Sequence, residues 1–237
     1  MVDWFWRRRR GVPAPRLRSR EDALPTARID LHEFAPAPAE FLARAAYVQL
    51  AVFEHAARAA ALVHATEAKA TIALAAGVAL DRHRALVELL AARGADPVAE
   101  MERVRPAIDR FLRLTEGRDW VEAALTCHLA GGFLDDLFVA LADGLPRELA
   151  TEVLALFAPR ADPRYLELFT RAMEDNTRLA ARLALWGRRL LGDALLVARD
   201  ALAFSDDHRS DEARIEPAFS ELVANHTRRM DALGLAA

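Results

Sequence analysis

The side chains in this chain best suited to metal or nucleophile chemistry are seven histidines and one cysteine, and their spacing withholds both chemistries. No histidine has a carboxylate three residues before it. The Glu-x-x-His pattern, which aims an acid and an imidazole from one helix face at a shared metal, is therefore missing. His64 and Glu67 stand in the reverse order across an expected helix junction. Cys127 and His128 are neighbours, and on a helix neighbours point about 100° apart, a poor geometry for a nucleophile and its base. Ala130-Gly-Gly132 lies inside a helical pattern, where small residues permit close helix packing and do not cradle a phosphate. A second feature is ionic: Trp4, Phe5 and Trp6 run directly into Arg7, Arg8, Arg9 and Arg10. Rings for stacking or interfacial insertion beside clustered positive charge suit RNA phosphates or an anionic membrane surface. A tail without a partner has the same composition. If this arm is the contact, deleting residues 1–20 leaves helicity and thermal stability nearly unchanged and abolishes salt-sensitive binding to RNA or anionic vesicles.

The rest of the chain must build the elements that position these residues. At 237 residues with 53% apolar side chains, it can form one large domain or two small ones around a sizeable core. A single cysteine excludes an internal disulfide and fits a reducing cytoplasm, and a net charge of -3 argues against a nucleic-acid-binding field over the whole protein. Arg, Glu or Asp interrupts every apolar run before the roughly 18 residues a membrane span needs, so no transmembrane segment is expected. Gly-Val-Pro-Ala-Pro-Arg follows Arg10 where a signal peptide would place its apolar region, so none is expected.

Periodicity organises the chain into an arm and a bundle. Residues 1–37, interrupted by Pro13, Pro15, Pro25 and Pro36, read as a flexible, basic, proline-rich arm. From there to residue 237 the pattern is helical. Phe41, Ala45, Val48, Val52 and Ala56 recur at helical spacing, which predicts a long first helix to about Val63. A second runs from near Thr66 to a cap at Gly94, and Asp96-Pro97 opens a third to about Leu114. Asp119 and Glu122 have capping-box spacing and start a helix that ends near Asp143-Gly144. Pro146 opens another, which Pro159 breaks, and Asp162-Pro163 restarts a helix to about Asn176. One of the longest follows, Thr177 to about Ser205, then a polar stretch and a last helix from Pro217 to Leu233. Nothing alternates with period two. The expectation is an all-α bundle of long antiparallel helices with additional shorter ones, Trp120, Trp186 and the phenylalanines serving as core.

Two segments near the C-terminus carry a family resemblance: Arg182-Leu-Ala-Leu-Trp-Gly-Arg-Arg-Leu-Leu-Gly-Asp-Ala-Leu195 and His226-Thr-Arg-Arg-Met-Asp-Ala-Leu-Gly-Leu235. With Phe53-Glu54, the turn Arg93 to Met101, and Asp119-Trp-Val-Glu-Ala123, they fall in one colinear register over residues 45–235. In these segments the chain resembles the actinobacterial branch of the ferritin-like tRNA hydroxylases, the MiaE-like family. The resemblance implies a ferritin-like bundle and a di-iron hydroxylase acting on tRNA. It also implies where iron ligands should stand. Glu54 occupies the first-helix position, in a buried setting, with an ordinary solvent-facing place or pairing with Arg58 at i,i+4 as the alternatives. The second-helix pair falls on Ala79 and Arg82, neither of them a ligand, and a one-residue slip gives Leu80 and His83. The second histidine-bearing pair falls on Pro159 and Asp162. Asp136, beside Asp135, matches a family aspartate, and Asp193 an acidic position four residues after Arg189.

Three readings follow. The first is a ferritin-like scaffold with a degenerate di-iron site that binds no metal or other cofactor and acts by binding a partner not written in the sequence. The second is a di-iron hydroxylase with ligands recruited from Glu54, Asp81, His83, Asp136, Glu167 or Asp193. The third is a structural helical protein that oligomerises with further copies of itself through exposed apolar stripes.

Overall fold

The structure is a computed structural model that describes residues 31–158, 163–174, 176–204 and 208–236. Trp4, Trp6, Arg7, Arg8, Arg9, Arg10, Pro159 and Asp162 lie outside the described residues. Among those described, the elements are a 3-10 turn, His32–Phe34, and nine helices: α1 Pro38–Leu62, α2 Thr66–Ala91, α3 Pro97–Leu114, α4 Trp120–Thr126, α5 Gly132–Ala142, α6 Arg147–Leu156, α7 Pro163–Met173, α8 Thr177–Asp200 and α9 His208–Ala232. A π-turn, Cys127–Gly131, joins α4 to α5. No strand occurs among the described residues, as the all-α expectation requires.

Sequence signals account for most boundaries. Asp96 caps α3 by accepting from the Val98 and Ala99 N–H groups at 3.0 and 3.3 Å, with Pro97 in the first turn. Gly94 and Gly234 follow α2 and α9 with φ of +78° and +70°, the left-handed conformation that a Cβ disfavours. Asp119 caps α4 through the Val121 and Glu122 amides. Glu122 reaches back one residue further than a capping box, to the Arg118 N–H at 2.8 Å.

Three expectations are corrected. The arm does not extend to residue 37: Leu31 and Phe34 are buried in the core, and Phe34 holds the Ala203 N–H with its carbonyl at 3.0 Å. α9 starts at His208, and Pro217 sits inside it. The helix continues because burial of Ile215, Ala218 and Leu222 outweighs the hydrogen bond the proline removes. The helix expected from Asp119 to Asp143 is not uniform, because the π-turn interrupts it. That segment, Trp120–Ala142, is long and apolar enough to cross a membrane, yet Glu122, Asp135 and Asp136 interrupt it and most of it is buried inside the bundle. Its apolarity is that of a helix surrounded by other helices.

Residues 63–65 connect α1 to α2, so the two helices run back along each other, and α1 also packs on α3 and α4. The buried side chains form two clusters. One centres on Phe41, Phe133, Leu137 and Leu141, with Phe41 edge-on to Phe138. The other centres on Ile72, Leu125, Leu129, Phe169 and Leu190.

Candidate functional site

A pocket of about 540 Å³ draws its lining from both clusters, Val52 and Phe157 from the first and Ala56, Ala75 and Tyr165 from the second. Helical spacing selects the residues that face it. From α1 come Gln49, Val52 and Ala56, at i, i+3 and i+7; from α2 come Thr71, Ala75, Val78, Ala79 and Arg82. The π-turn supplies Cys127 and His128, α5 supplies Gly132, Asp135 and Asp136, and Arg229 enters from α9. A π-turn inserts one residue into the helical register, and such insertions gather at functional sites.

Two carboxylate–guanidinium pairs occupy the polar side of this pocket. Asp135 accepts from Gln49 Nε2 and Arg82 Nη1, each at 2.7 Å. Arg82 also donates through Nε to the Leu156 carbonyl at 3.0 Å and through Nη2 to that of Ala158 at 3.4 Å, and stacks over the Phe157 ring at 5.4 Å. Burial holds the Asp135 carboxyl above its ordinary value, against the lowering pull of Arg82 and Gln49. In the second pair, Arg229 Nη2 donates to Asp136 Oδ1 at 2.7 Å. Asp136 Oδ2 and Arg229 Nη1 are buried with no hydrogen-bond partner among the described residues. Gly132 makes the second pair possible, because a Cβ there would stand 2.7 Å from Arg229 Nε.

The remaining titratable groups are inert near neutral pH. Burial, then Arg229 and His226, lower the His128 imidazole to about 4, and its ring faces Tyr165 and Phe169 at centroid distances of 6.1 and 6.3 Å. Burial pushes the Cys127 thiol up to about 12 and the Tyr165 phenol well above its usual value, the latter donating to the Ala124 carbonyl at 2.8 Å. A protonated thiol is a poor nucleophile, which counts against a covalent role for Cys127.

The residues expected from the sequence divide sharply. Ala79, Arg82, Asp135 and Asp136 do meet in this pocket. Glu54 does not: it is exposed, 3.9 Å from Arg58, so the pairing at i,i+4 is what the structure contains and the buried setting is corrected. Gln49 takes the α1 place in the pocket, and five residues of helix turn Glu54 about 140° away from it. Asp81 and Glu167 are exposed and pair with Arg84 and Arg171. His83 faces α1 and contacts the Ala46 carbonyl through Nδ1 at 2.9 Å. Asp193 lies outside the pocket lining, 3.8 Å from Arg189. His64 and Glu67 are exposed at the junction between α1 and α2, Glu67 3.3 Å from Arg171. Glu122 is buried and faces Arg182 Nε at 3.3 Å.

Arg229 is the residue the sequence reading missed. It lies in the His226-Thr-Arg-Arg-Met segment, in which His226 and Met230 pack α9 on α8. His226 Nε2 meets the Gly187 carbonyl at 3.0 Å, and a Cβ on Gly187 would stand 2.9 Å from Met230 Cε. The Trp-Gly-Arg-Arg segment is thus the other half of the same helix crossing. A family model for a ferritin-like domain of actinomycetes matches residues 32–209. The chain belongs to this ferritin-like family. A search of curated proteins gave no match.

Ferritin-like di-iron centres take a Glu from each of two helices and a Glu-x-x-His from each of two others. The pocket of this ferritin-like chain does not fit that centre. It presents Gln49, Ala79 and Arg82 from the first two helices, and both carboxylates from α5 are already bound by guanidinium groups. Arg82 brings a fixed positive charge into the pocket, where a metal would need neutral or anionic ligands. Among the described residues no group of three or more His, Cys, Asp or Glu side chains is placed to hold a metal ion.

Proposed function

We propose that this ferritin-like protein acts by binding and not by di-iron oxidation, its bundle descending from a scaffold of the tRNA-hydroxylase type. The observation that carries the reading is the Arg82–Asp135 contact at 2.7 Å, with Gln49 on the same carboxylate. The guanidinium supplies internally the positive charge that a metal would supply, and the pocket stays open beside it. The single cysteine, a free thiol, supports a reducing cytoplasm as its setting. A scaffold reading through exposed apolar side chains has less support, because these are distributed over α1, α2, α3, α5 and α8.

Anaerobic loading of the full chain with ferrous iron, followed by desalting and metal analysis, tests the proposal. The expected result is iron well below one per chain, unchanged in Glu54→Ala. About two irons per chain, or hydroxylated product from a tRNA bearing the 2-methylthio-isopentenyl-adenosine modification, would establish a hydroxylase with an unusual ligand set.

A further inference from the structure

We infer that the pocket between α1, α2 and α5 binds a neutral, mainly apolar small molecule that brings no charge to the closed ion pairs on its polar side. The inference rests on the binding reading above and adds the class of ligand.

Three observations lead to it. First, about 540 Å³ falls inside the roughly 300–1,000 Å³ of small-molecule pockets, and Val52, Ala56, Leu74, Val78, Ala79 and Leu166 give it apolar walls. Second, the charges in the described lining cancel. Asp135 and Asp136 carry two negative charges, Arg82 and Arg229 two positive ones, and the remaining titratable groups, His128, Cys127 and Tyr165, are neutral near pH 7. An anion or a cation entering this site would lose its hydration without a counter-charge to replace it. A neutral ligand meets no such cost.

Third, both pairs are closed on protein partners. Arg82 and Asp135 close on each other, on Gln49 and on the Leu156 and Ala158 carbonyls. Asp136 and Arg229 close on each other at 2.7 Å, and the second oxygen and second terminal nitrogen of that pair are buried away from the pocket. Neither pair therefore offers a charged ligand a free counter-charge. A neutral head such as an amide enters without needing one.

Three eight-carbon probes of matched length separate the possibilities: octanamide, octanoate and octylammonium. Each is measured by calorimetry and by displacement of the neutral fluorophore N-phenyl-1-naphthylamine from the full chain at pH 7. Octanamide is expected to bind one per chain, with a dissociation constant roughly tenfold below those of the two charged probes. Leu74→Trp alters a residue that lines the pocket yet is 55% exposed, so the fold tolerates it while the indole fills the mouth. It is expected to abolish binding with the far-ultraviolet circular dichroism unchanged. Asp136→Asn leaves the Arg229 charge uncompensated and should move the preference to octanoate. A wild-type preference for either charged probe, binding that survives Leu74→Trp, or no binding of both fluorophore and octanamide would overturn the inference. Iron analysis of the same preparation separates the two failures. Iron-free protein that prefers octanoate sinks the ligand class alone, whereas stoichiometric iron sinks the binding reading beneath it.

Discussion

Replacing Arg82 by alanine is expected to lower the stability of the protein by about 3 kcal/mol, the cost of stripping one partner from a largely buried ion pair. Three losses coincide. Asp135 keeps its charge in a buried setting with Gln49 as its remaining donor, the Leu156 and Ala158 carbonyls lose theirs, and the Phe157 ring loses the guanidinium above it. Arg82→Met with Asp135→Asn should recover at least half of the deficit. The double variant removes both charges while the asparagine carbonyl still accepts from Gln49. The pH dependence has a definite sign. Asp135 already sits above its ordinary value in the fold, so its contribution favours the native state at low pH and is lost as pH rises through that raised value. Without Arg82 the folded value rises further, and Arg82→Ala should regain stability between pH 7 and 5 relative to wild type. Urea midpoints read by circular dichroism at both pH values measure this. A loss under about 1 kcal/mol would show that the pair is not what holds α2 to α5.

The sequence made the helices legible wherever a local signal fixed their ends. Asp96-Pro97, Gly94 and Gly234 each act within a turn of where they stand, and α1 to α3 end within about three residues of expectation. Legibility failed where tertiary packing overrode a local rule. Pro217 is a strong helix breaker in isolation, yet Ile215, Ala218 and Leu222 are buried on either side of it and the helix forms regardless. Leu31 and Phe34 sit in a proline-rich segment, and their burial depends on Phe204 and Ala203, some 170 residues away.

The site followed the same division. Ala79 and Arg82 could be placed by counting along one helix, and both reach the pocket. Glu54 was misplaced because a register carried from one helix to another does not fix rotation about the axis, and its five-residue offset from Gln49 is the difference between pocket and solvent. Arg229 was invisible because its partner Asp136 lies 93 residues away and charge alone does not distinguish it from Arg228, which pairs on the surface with Glu221. The glycine pair Gly131-Gly132 was the available signal. Glycines that admit close packing need not admit another backbone, and here Gly131 faces Val52 while Gly132 admits a guanidinium.

His128 carries the second large effect. In the fold its imidazole titrates at about 4 because burial and the neighbouring Arg229 and His226 oppose the charged form, whereas in the unfolded chain it titrates near 6.5. The folded value is lowered, so the unfolded state binds the extra proton, and stability is lost as pH falls from about 6.5 towards 4. His55 and His226 are lowered in the same direction and add to the loss, while Asp135 opposes it. His128→Phe removes one of the three histidine contributions and sets a third ring beside Tyr165 and Phe169, a contact its aromatic neighbours accommodate. Between pH 7 and 4.5 the variant is therefore expected to lose about 2 kcal/mol less stability than the wild type. Urea denaturation at the two pH values, followed by circular dichroism, measures the difference. Parallel losses in the two proteins would show that His128 takes up its proton in the fold without cost to stability.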